Sequence, residues 1–187
     1  MGQYYVAVIL GNKPDNGQPE QVRLCMTSYS YGIGAKLAEH SWIDNPYVEA
    51  FESLLTPEGP AHMTRPVWAG DYADPEDPND DYDNLYTLAK QTTEMDIPLP
   101  PVTSTKDYPY IVNHDKKAYV DKRKQRPDQY GYIIHPLPLL IAEGNGRGNG
   151  DYEGTNMSMV GIWSRDIISV EKVVPEGYTE LEVCFSA

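Results

Sequence analysis

The sequence predicts an α+β fold: a single domain with a mostly antiparallel sheet, two or three short helices on one side of it, and long loops. Three observations predict this class. A strand pair opens the chain, helical spacing follows, and strand patterns predominate in the second half. A length of 187 residues fits one hydrophobic core, because cores keep growing up to about 250 residues. We therefore expect residues 1–187 to form one domain.

The chain opens with a predicted β-hairpin. Residues 3–10 are β-branched and aromatic, with apolar side chains on both faces, which is typical of a central strand covered on two sides. Turn residues occupy positions 11–17, and residues 22–27 then alternate between polar and apolar. Two such segments joined by a turn predict an antiparallel pair.

Helical patterns follow the hairpin. Ile33, Leu37 and His40 share one helical face, and residues 47–55 form a second apolar stripe. The second pattern has a clear start at residues 45–46, because a capping asparagine precedes a proline at the first helical position. Two further elements complete the first half, a short strand and a short helix at residues 67–69 and 84–91.

Strand patterns predominate after a proline-rich connector at residues 96–107. The connector cannot pair as a central strand, since proline donates no backbone hydrogen bond. Strands are then expected at residues 108–113, 117–120, 132–141, 159–163, 167–174 and 178–185. Residues 114–116 are expected to turn the first pair into a hairpin.

Charge and cysteine content exclude several classes of protein. The formal net charge is −13, which argues against general binding to the nucleic-acid backbone, since that requires a cationic surface. Neither a membrane span nor a signal peptide is recognisable. Cys25 and Cys184 provide no disulfide framework and no metal spacing. We expect a cytoplasmic protein with no membrane contact, cofactor or metal; a homo-oligomer is not excluded.

An acidic loop at residues 71–83 has seven carboxylates in thirteen residues and no lysine or arginine. Solvated charge is one interpretation. Calcium binding is another, but Tyr82 stands where an EF-hand loop requires glycine, and Leu88 where it requires glutamate. The third interpretation is a surface that binds a basic protein partner. Its contact residues would be Asp77, Asp80, Asp81, Tyr82 and Asp83.

A basic segment at residues 116–126 has six cations in eleven residues. In one interpretation these cations are solvated and pair with the carboxylates of the acidic loop. In the other, the segment binds a small anionic ligand such as a nucleotide. Lys122, Arg123 and Lys124 then contact the phosphates, and Tyr130 stacks on a base.

A Gly-rich loop spans residues 143–154, with glycine at alternate positions over part of its length. Such a backbone can direct several N–H groups at one anion. Gly146 and Gly148 flank Arg147, whose guanidinium can clamp a phosphate or a carboxylate. The spacing matches neither the dinucleotide fingerprint nor a Walker loop. A flexible hairpin connection explains the glycines equally well.

An enzyme is the alternative from a different class. A small hydrolase or phosphodiesterase would use His135 or His114 as acid and base, with Glu143 and Asp151 near the Gly-rich loop. That these residues lie close together is inferred only from their order in the chain. No nucleophile elbow and no paired-histidine metal motif supports this chemistry.

Several sequence strings, taken together, resemble small uncharacterised proteins of bacteria and of their phages or mobile elements. The strings are residues 1–5, 39–42, 68–72 and 110–114, and the Gly-rich loop. The resemblance spans most of the chain and implies no activity and no catalytic residue. It implies an accessory, phage-related or host-interaction role.

Three functions stay open at this point. The leading one is a cytosolic binding protein that sequesters a nucleotide-like anionic ligand through the basic segment and the Gly-rich loop. The second is an acidic phosphate mimic that inhibits a nucleic-acid-handling protein, and the third is the small hydrolase. The 15 tyrosines favour binding, because tyrosine combines a large contact area with a polar tip.

Overall fold

Short strands and short helices alternate along the described part of the chain. The computed structural model describes residues 2–14, 20–76, 83–92, 107–145 and 151–186. The strands are β1 (Tyr5–Leu10), β2 (Val22–Met26), β3 (Arg65–Gly70), β4 (Tyr110–Asn113), β5 (Ala118–Asp121), β6 (Ala142–Glu143), β7 (Ile168–Glu171) and β8 (Thr179–Glu180). The α-helices are α1 (Pro46–Leu54), α2 (Leu85–Gln91) and α3 (Pro136–Leu140). Short 3₁₀ helices occur at Ser28–Tyr31, Lys122–Lys124 and Met157–Met159.

The strands form two four-stranded sheets, in the orders β2-β1-β3-β6 and β7-β4-β5-β8. In the first sheet β1 pairs antiparallel with β2 and β3, and β6 joins β3 in parallel. In the second sheet β4 pairs antiparallel with β5 and β7, and β8 lies parallel to β5. The predicted α+β class is confirmed, with the strands divided between two mixed sheets.

The first strand is covered on both faces, as its sequence pattern predicts. All six residues of β1 are buried. Alternate side chains beginning with Tyr5 join the main core together with α1, whereas those beginning with Val6 form a smaller cluster with α2. These two helices therefore cover opposite faces of the first sheet rather than one side of it.

Helix α1 begins at the predicted signal. The Asn45 side chain accepts hydrogen bonds from the backbone N–H groups of Tyr47 and Val48, at 2.9 and 3.2 Å. Pro46 costs no hydrogen bond at the first helical position, because its nitrogen would have no partner there. The Tyr47 hydroxyl then donates to the Met26 carbonyl oxygen at 2.7 Å, which fixes the helix against β2.

Residues 136–140 form α3, not the predicted strand. The His135 Nδ1 atom accepts a hydrogen bond from the Leu137 N–H group at 3.1 Å, and Pro136 occupies the first helical position. A capped start followed by proline favours a helix over a strand. The predicted strand at 159–163 is also wrong, since a 3₁₀ helix ends at Met159 and residues 160–163 form turns.

The predicted helix containing Ile33, Leu37 and His40 is absent: residues 33–36 have no regular secondary structure, and residues 37–40 form a turn. Gly32 has a φ of 65° and ends the preceding 3₁₀ helix. A left-handed residue at that point redirects the chain away from helical geometry.

Both sheets contribute to one core. Its members include Trp68 of the first sheet and Ile111, Val120 and Ile168 of the second. The turn after β4 lies at residues 114–117, so the predicted β4–β5 hairpin is confirmed. None of the helices in the described ranges combines the length and the hydrophobicity that crossing a membrane requires.

Candidate functional site

The basic segment lines an open groove with a volume of about 880 Å³. One wall is the chain from Val120 to Pro127, and the other is residues 180–186 after β8. Thr155 and Asn156, which follow the Gly-rich loop, also line it. We call this cavity the basic groove. Its volume lies within the range of pockets that enclose small organic ligands.

Side-chain hydrogen bonds hold the C-terminal wall in place. The buried Gln125 donates from Nε2 to the Val183 carbonyl oxygen at 2.7 Å. From the other side, the Asn156 amide and the Thr155 hydroxyl donate to the Cys184 carbonyl oxygen, at 2.8 and 3.0 Å. The wall is therefore tied to both the basic segment and the end of the Gly-rich loop.

Two of the three groove cations are already paired. The Arg123 Nε and Nη2 atoms bind the two carboxylate oxygens of Asp121 at 2.8 and 2.7 Å. These hydrogen bonds lower the pKa of Asp121 and raise that of Arg123. Lys124 Nζ lies 2.6 Å from a Glu180 carboxylate oxygen. The exposed Arg126 forms no hydrogen bond or ion pair with any described residue.

The groove is less acidic than the molecule as a whole. It contains the three cations and three carboxylates, those of Asp121, Glu180 and Glu182, against a net charge of −13 for the chain. A small anion meets less repulsion here than over an average part of the surface. Arg126 is the cation that such an anion can engage without breaking an existing pair.

The structure separates the residues predicted to bind the anionic ligand. Arg123 and Lys124 share the basic groove, but Tyr130 lines a different cavity. Lys122 was predicted to contact the phosphates, and the structure corrects this: its ammonium is fully buried and contacts Glu52 instead of solvent. The remaining members of that set, Gly146, Arg147 and Gly148, lie outside the described residues.

Lys122 belongs to a buried ionic cluster. Its Nζ atom donates to both carboxylate oxygens of Glu52, at 2.7 and 2.8 Å. His135 Nε2 lies 3.2 Å from Glu52 Oε2, close enough for attraction but off the line of a hydrogen bond. Burial alone would raise the pKa of Glu52, but Lys122 and His135 outweigh it and lower this pKa to about 2.

Burial of the His135 side chain favours its neutral form. Burial lowers the pKa of its ring, although Glu52 opposes the shift. Because Nδ1 accepts the Leu137 N–H, the ring proton lies on Nε2 and faces the carboxylate. The cluster joins α1, α3 and the 3₁₀ helix after β5, so its evident role is to connect the two sheets.

Glu49 lies on α1, three residues before Glu52, and its carboxyl group titrates in the physiological pH range. Burial raises its pKa to about 7, and the neighbouring Asp44 and Glu52 carboxylates add to the shift. The folded state therefore binds this proton more tightly than the unfolded chain does. Its contribution to stability is full below about pH 4.5 and is lost as the pH rises through about 7.

Glu49→Gln is therefore expected to increase stability at high pH. The variant and the native protein should unfold with similar free energies at pH 4.5, and the variant should be about 3 kcal/mol more stable at pH 8. Urea unfolding across this pH range measures the difference. Glu39→Gln, at an exposed side chain, is the matched control. A constant difference at every pH would contradict the assignment.

The four candidate catalytic residues occupy separate surroundings in the described contacts. His135 faces Glu52. Glu143 accepts hydrogen bonds from the Ser164 hydroxyl and the Arg165 guanidinium at 2.7 and 2.6 Å. Asp151 accepts the Gln3 N–H at 2.9 Å. These contacts give the residues structural partners and do not assemble them into one site.

His114 has the contacts of a base next to a nucleophile. Its Nε2 atom lies 2.8 Å from the Ser169 hydroxyl, and its Nδ1 atom lies 3.0 Å from the Tyr178 hydroxyl. Burial lowers the pKa of the ring, which favours the neutral form. However, Ser169 is fully buried, and a nucleophile must reach its substrate. The arrangement therefore stabilises the second sheet.

Most of the acidic loop's predicted partner-binding residues fall outside the described residues, namely Asp77, Asp80, Asp81 and Tyr82. Asp83 is described and half-buried. Its carbonyl oxygen accepts the Glu76 N–H at 2.8 Å, which joins the two sides of the loop. No cluster of metal-binding side chains occurs in the ranges that the structure describes.

An arginine–glutamate network anchors the acidic loop, and the sequence analysis missed it. Arg165 binds Glu76 and Glu143 with both ends of its guanidinium, at distances from 2.6 to 2.9 Å. Arg65 binds Glu20 at 2.6 and 3.0 Å. Glu20 also lies 3.8 Å from Arg165. These residues are far apart in the chain, so no local pattern identifies them.

The comparisons with known proteins add no identification. No family model, curated protein or solved structure matches this chain. The function must therefore be argued from the site itself.

Proposed function

We propose that the protein binds and sequesters a small, nucleotide-like anionic ligand in the basic groove. The observation that carries this proposal is Arg126, an exposed cation on the groove wall that no described residue pairs. Arginine binds phosphate and carboxylate groups through two parallel hydrogen bonds. Arg123 and Lys124, fixed by their carboxylate partners, add cationic charge beside it.

The charge balance of the groove limits the ligand to a small anion. Three carboxylates offset the three cations, and the whole chain has a net charge of −13. A long polyanion would extend beyond the groove over an acidic surface, which opposes its binding. A ligand with one or two phosphate-like groups stays within reach of Arg126.

We further propose that this binding takes place in the cytosol, in an accessory factor of phage or mobile-element type. Neither the buried Cys25 nor the partly exposed Cys184 forms a disulfide bond. Free thiols are typical of proteins that work in a reducing compartment. The proposed role needs no turnover, so a bound ligand should be recovered chemically unchanged.

Arg126→Ala is expected to weaken binding of adenosine monophosphate by at least about tenfold, because a charge-assisted hydrogen-bond pair is lost. Isothermal titration calorimetry at low salt measures the affinity. Lys172→Ala removes the same charge from another exposed position and should leave the affinity unchanged. Equal affinities for Arg126→Ala and the native protein would contradict the proposal. Native mass spectrometry of freshly purified protein tests for a co-purifying anion.

A further inference from the structure

A second groove contains three aromatic side chains that the basic groove does not use. Its volume is about 520 Å³, and its lining includes Trp42, Tyr130, Tyr132, Ile134, Glu39 and Asp128. We call it the aromatic groove. Tyr130 and Tyr132 are 76% and 60% exposed. Exposed aromatic rings grouped in one concave surface are typical of binding sites.

The backbone holds the aromatic rings in position. Trp42 and Ile134 form an antiparallel bridge, and the Ile43 N–H donates to the Ile133 carbonyl oxygen at 2.8 Å. The Trp42 and Tyr132 rings lie 6.4 Å apart between centroids, with an angle of 56° between their planes. Both rings line the groove and are in tilted contact with each other.

The charges of the groove are acidic. Its lining has two carboxylates, Glu39 and Asp128, together with His40 and no lysine or arginine. Glu39 is paired with Lys36 at 2.8 Å, so Asp128 is the carboxylate that a ligand can engage without breaking an ion pair. Asp128 Oδ1 accepts the N–H groups of Tyr130 and Tyr132 at 2.8 and 2.9 Å, which orients the carboxylate. Its Oδ2 atom forms no hydrogen bond with the described residues and can accept one from a ligand.

We propose that the aromatic groove binds a basic, extended peptide segment of a partner protein. A guanidinium or ammonium group is attracted to the faces of the Trp42 and Tyr132 rings, and it can pair with Asp128. The volume of about 520 Å³ exceeds that of one cationic head group several times over, so a segment of chain fits better than a small cation. The net charge of −13 accelerates encounter with a basic partner.

Tryptophan fluorescence reports this groove selectively. Trp68 and Trp163 are 2% and 1% exposed, whereas Trp42 is partly exposed and lines the groove. The probe is a pentapeptide with two arginines among glycines, and its control replaces both arginines by citrulline, the neutral isostere. The arginine peptide should change the Trp42 emission and bind at least about tenfold more tightly than the citrulline peptide.

Variants at exposed positions locate the site. Tyr130→Ala and Asp128→Asn retain Trp42 as the reporter, and each should weaken binding of the arginine peptide by about five- to tenfold. Tyr29→Ala, at a tyrosine that is 81% exposed outside this groove, should have no effect. Equal binding of the two peptides, or unchanged affinity in both groove variants, would overturn the proposal. Choline, a small cation that also binds aromatic rings, gives a further test. If choline changes the Trp42 emission and the arginine peptide does not displace it, the peptide does not occupy the groove and the proposal is overturned.

Discussion

Lys122→Met is expected to destabilise the protein by about 3–5 kcal/mol at pH 7, because it leaves a buried carboxylate without its main partner. The Glu52 side chain is 1% exposed, and its two oxygens lie 2.7 and 2.8 Å from Lys122 Nζ. Urea unfolding gives the free energy, and the melting temperature should fall by roughly 10 °C.

A matched substitution separates this effect from a general loss of charge. Lys124→Met removes an ammonium two residues away, where the side chain is 56% exposed and paired with Glu180. An exposed pair contributes less than about 1 kcal/mol, so this variant should stay close to the native stability. Similar losses in the two variants would contradict the buried-pair argument.

The double variant Glu52→Leu/Lys122→Met tests the mechanism of the destabilisation. If the loss in Lys122→Met comes from an uncompensated buried charge, removing the carboxylate as well should restore most of the stability. Continued loss in the double variant would show that packing of the lysine stem, rather than its charge, dominates.

The sequence predicts the elements that depend on local signals. The apolar residues on both faces of β1 and the asparagine–proline start of α1 are short-range patterns, and both appear at the expected positions. The Asn84 cap of α2 is of the same kind, since its side chain accepts the Thr87 N–H at 2.9 Å. Such signals are local because a helix cap and a short apolar strand each involve only a few neighbouring residues.

Helix α3 shows why the rest could not be predicted. Residues 137–141 form a short apolar run, and such runs fit a buried strand and a buried helix equally well. Tertiary contacts add to the local start at His135, since the N–H groups of Gly161 and Trp163 reach the carbonyls of Leu139 and Leu140. Periodicity in a single chain does not contain that information.

The sequence also does not predict that the Lys122 side chain points into the core. The count of cations at 116–126 predicts a basic surface, but the 3₁₀ helix at Lys122–Lys124 turns successive side chains by about 120°. One cation therefore faces the core while the next two face the groove. A usable signal existed in α1, where Glu52 lies four residues after Val48 on the apolar face. A carboxylate on a buried face requires a partner.

Arg165→Met is expected to cost about 3 kcal/mol, because one guanidinium serves two nearly buried carboxylates. The side chains of Glu76 and Glu143 are 3% and 4% exposed, and Arg165 contacts each at 2.6 Å. Burial alone would lower the pKa of Arg165, but these two partners raise it above its usual value. Urea unfolding measures the loss, with Arg123→Met, whose side chain is 53% exposed, as control.

The pH dependence of that loss distinguishes charge from packing. Without the guanidinium, two nearly buried carboxylates lose a counter-charge, and protonation at lower pH removes the uncompensated negative charge. The deficit of the variant should therefore shrink as the pH falls from 8 towards 5. Arg165→Lys keeps the charge but cannot bind both carboxylates through two hydrogen bonds each, so its stability should lie between those of the native protein and Arg165→Met. A deficit that is constant with pH would assign the effect to packing of the arginine stem and not to the ionic network that fixes Glu76 beside the acidic loop.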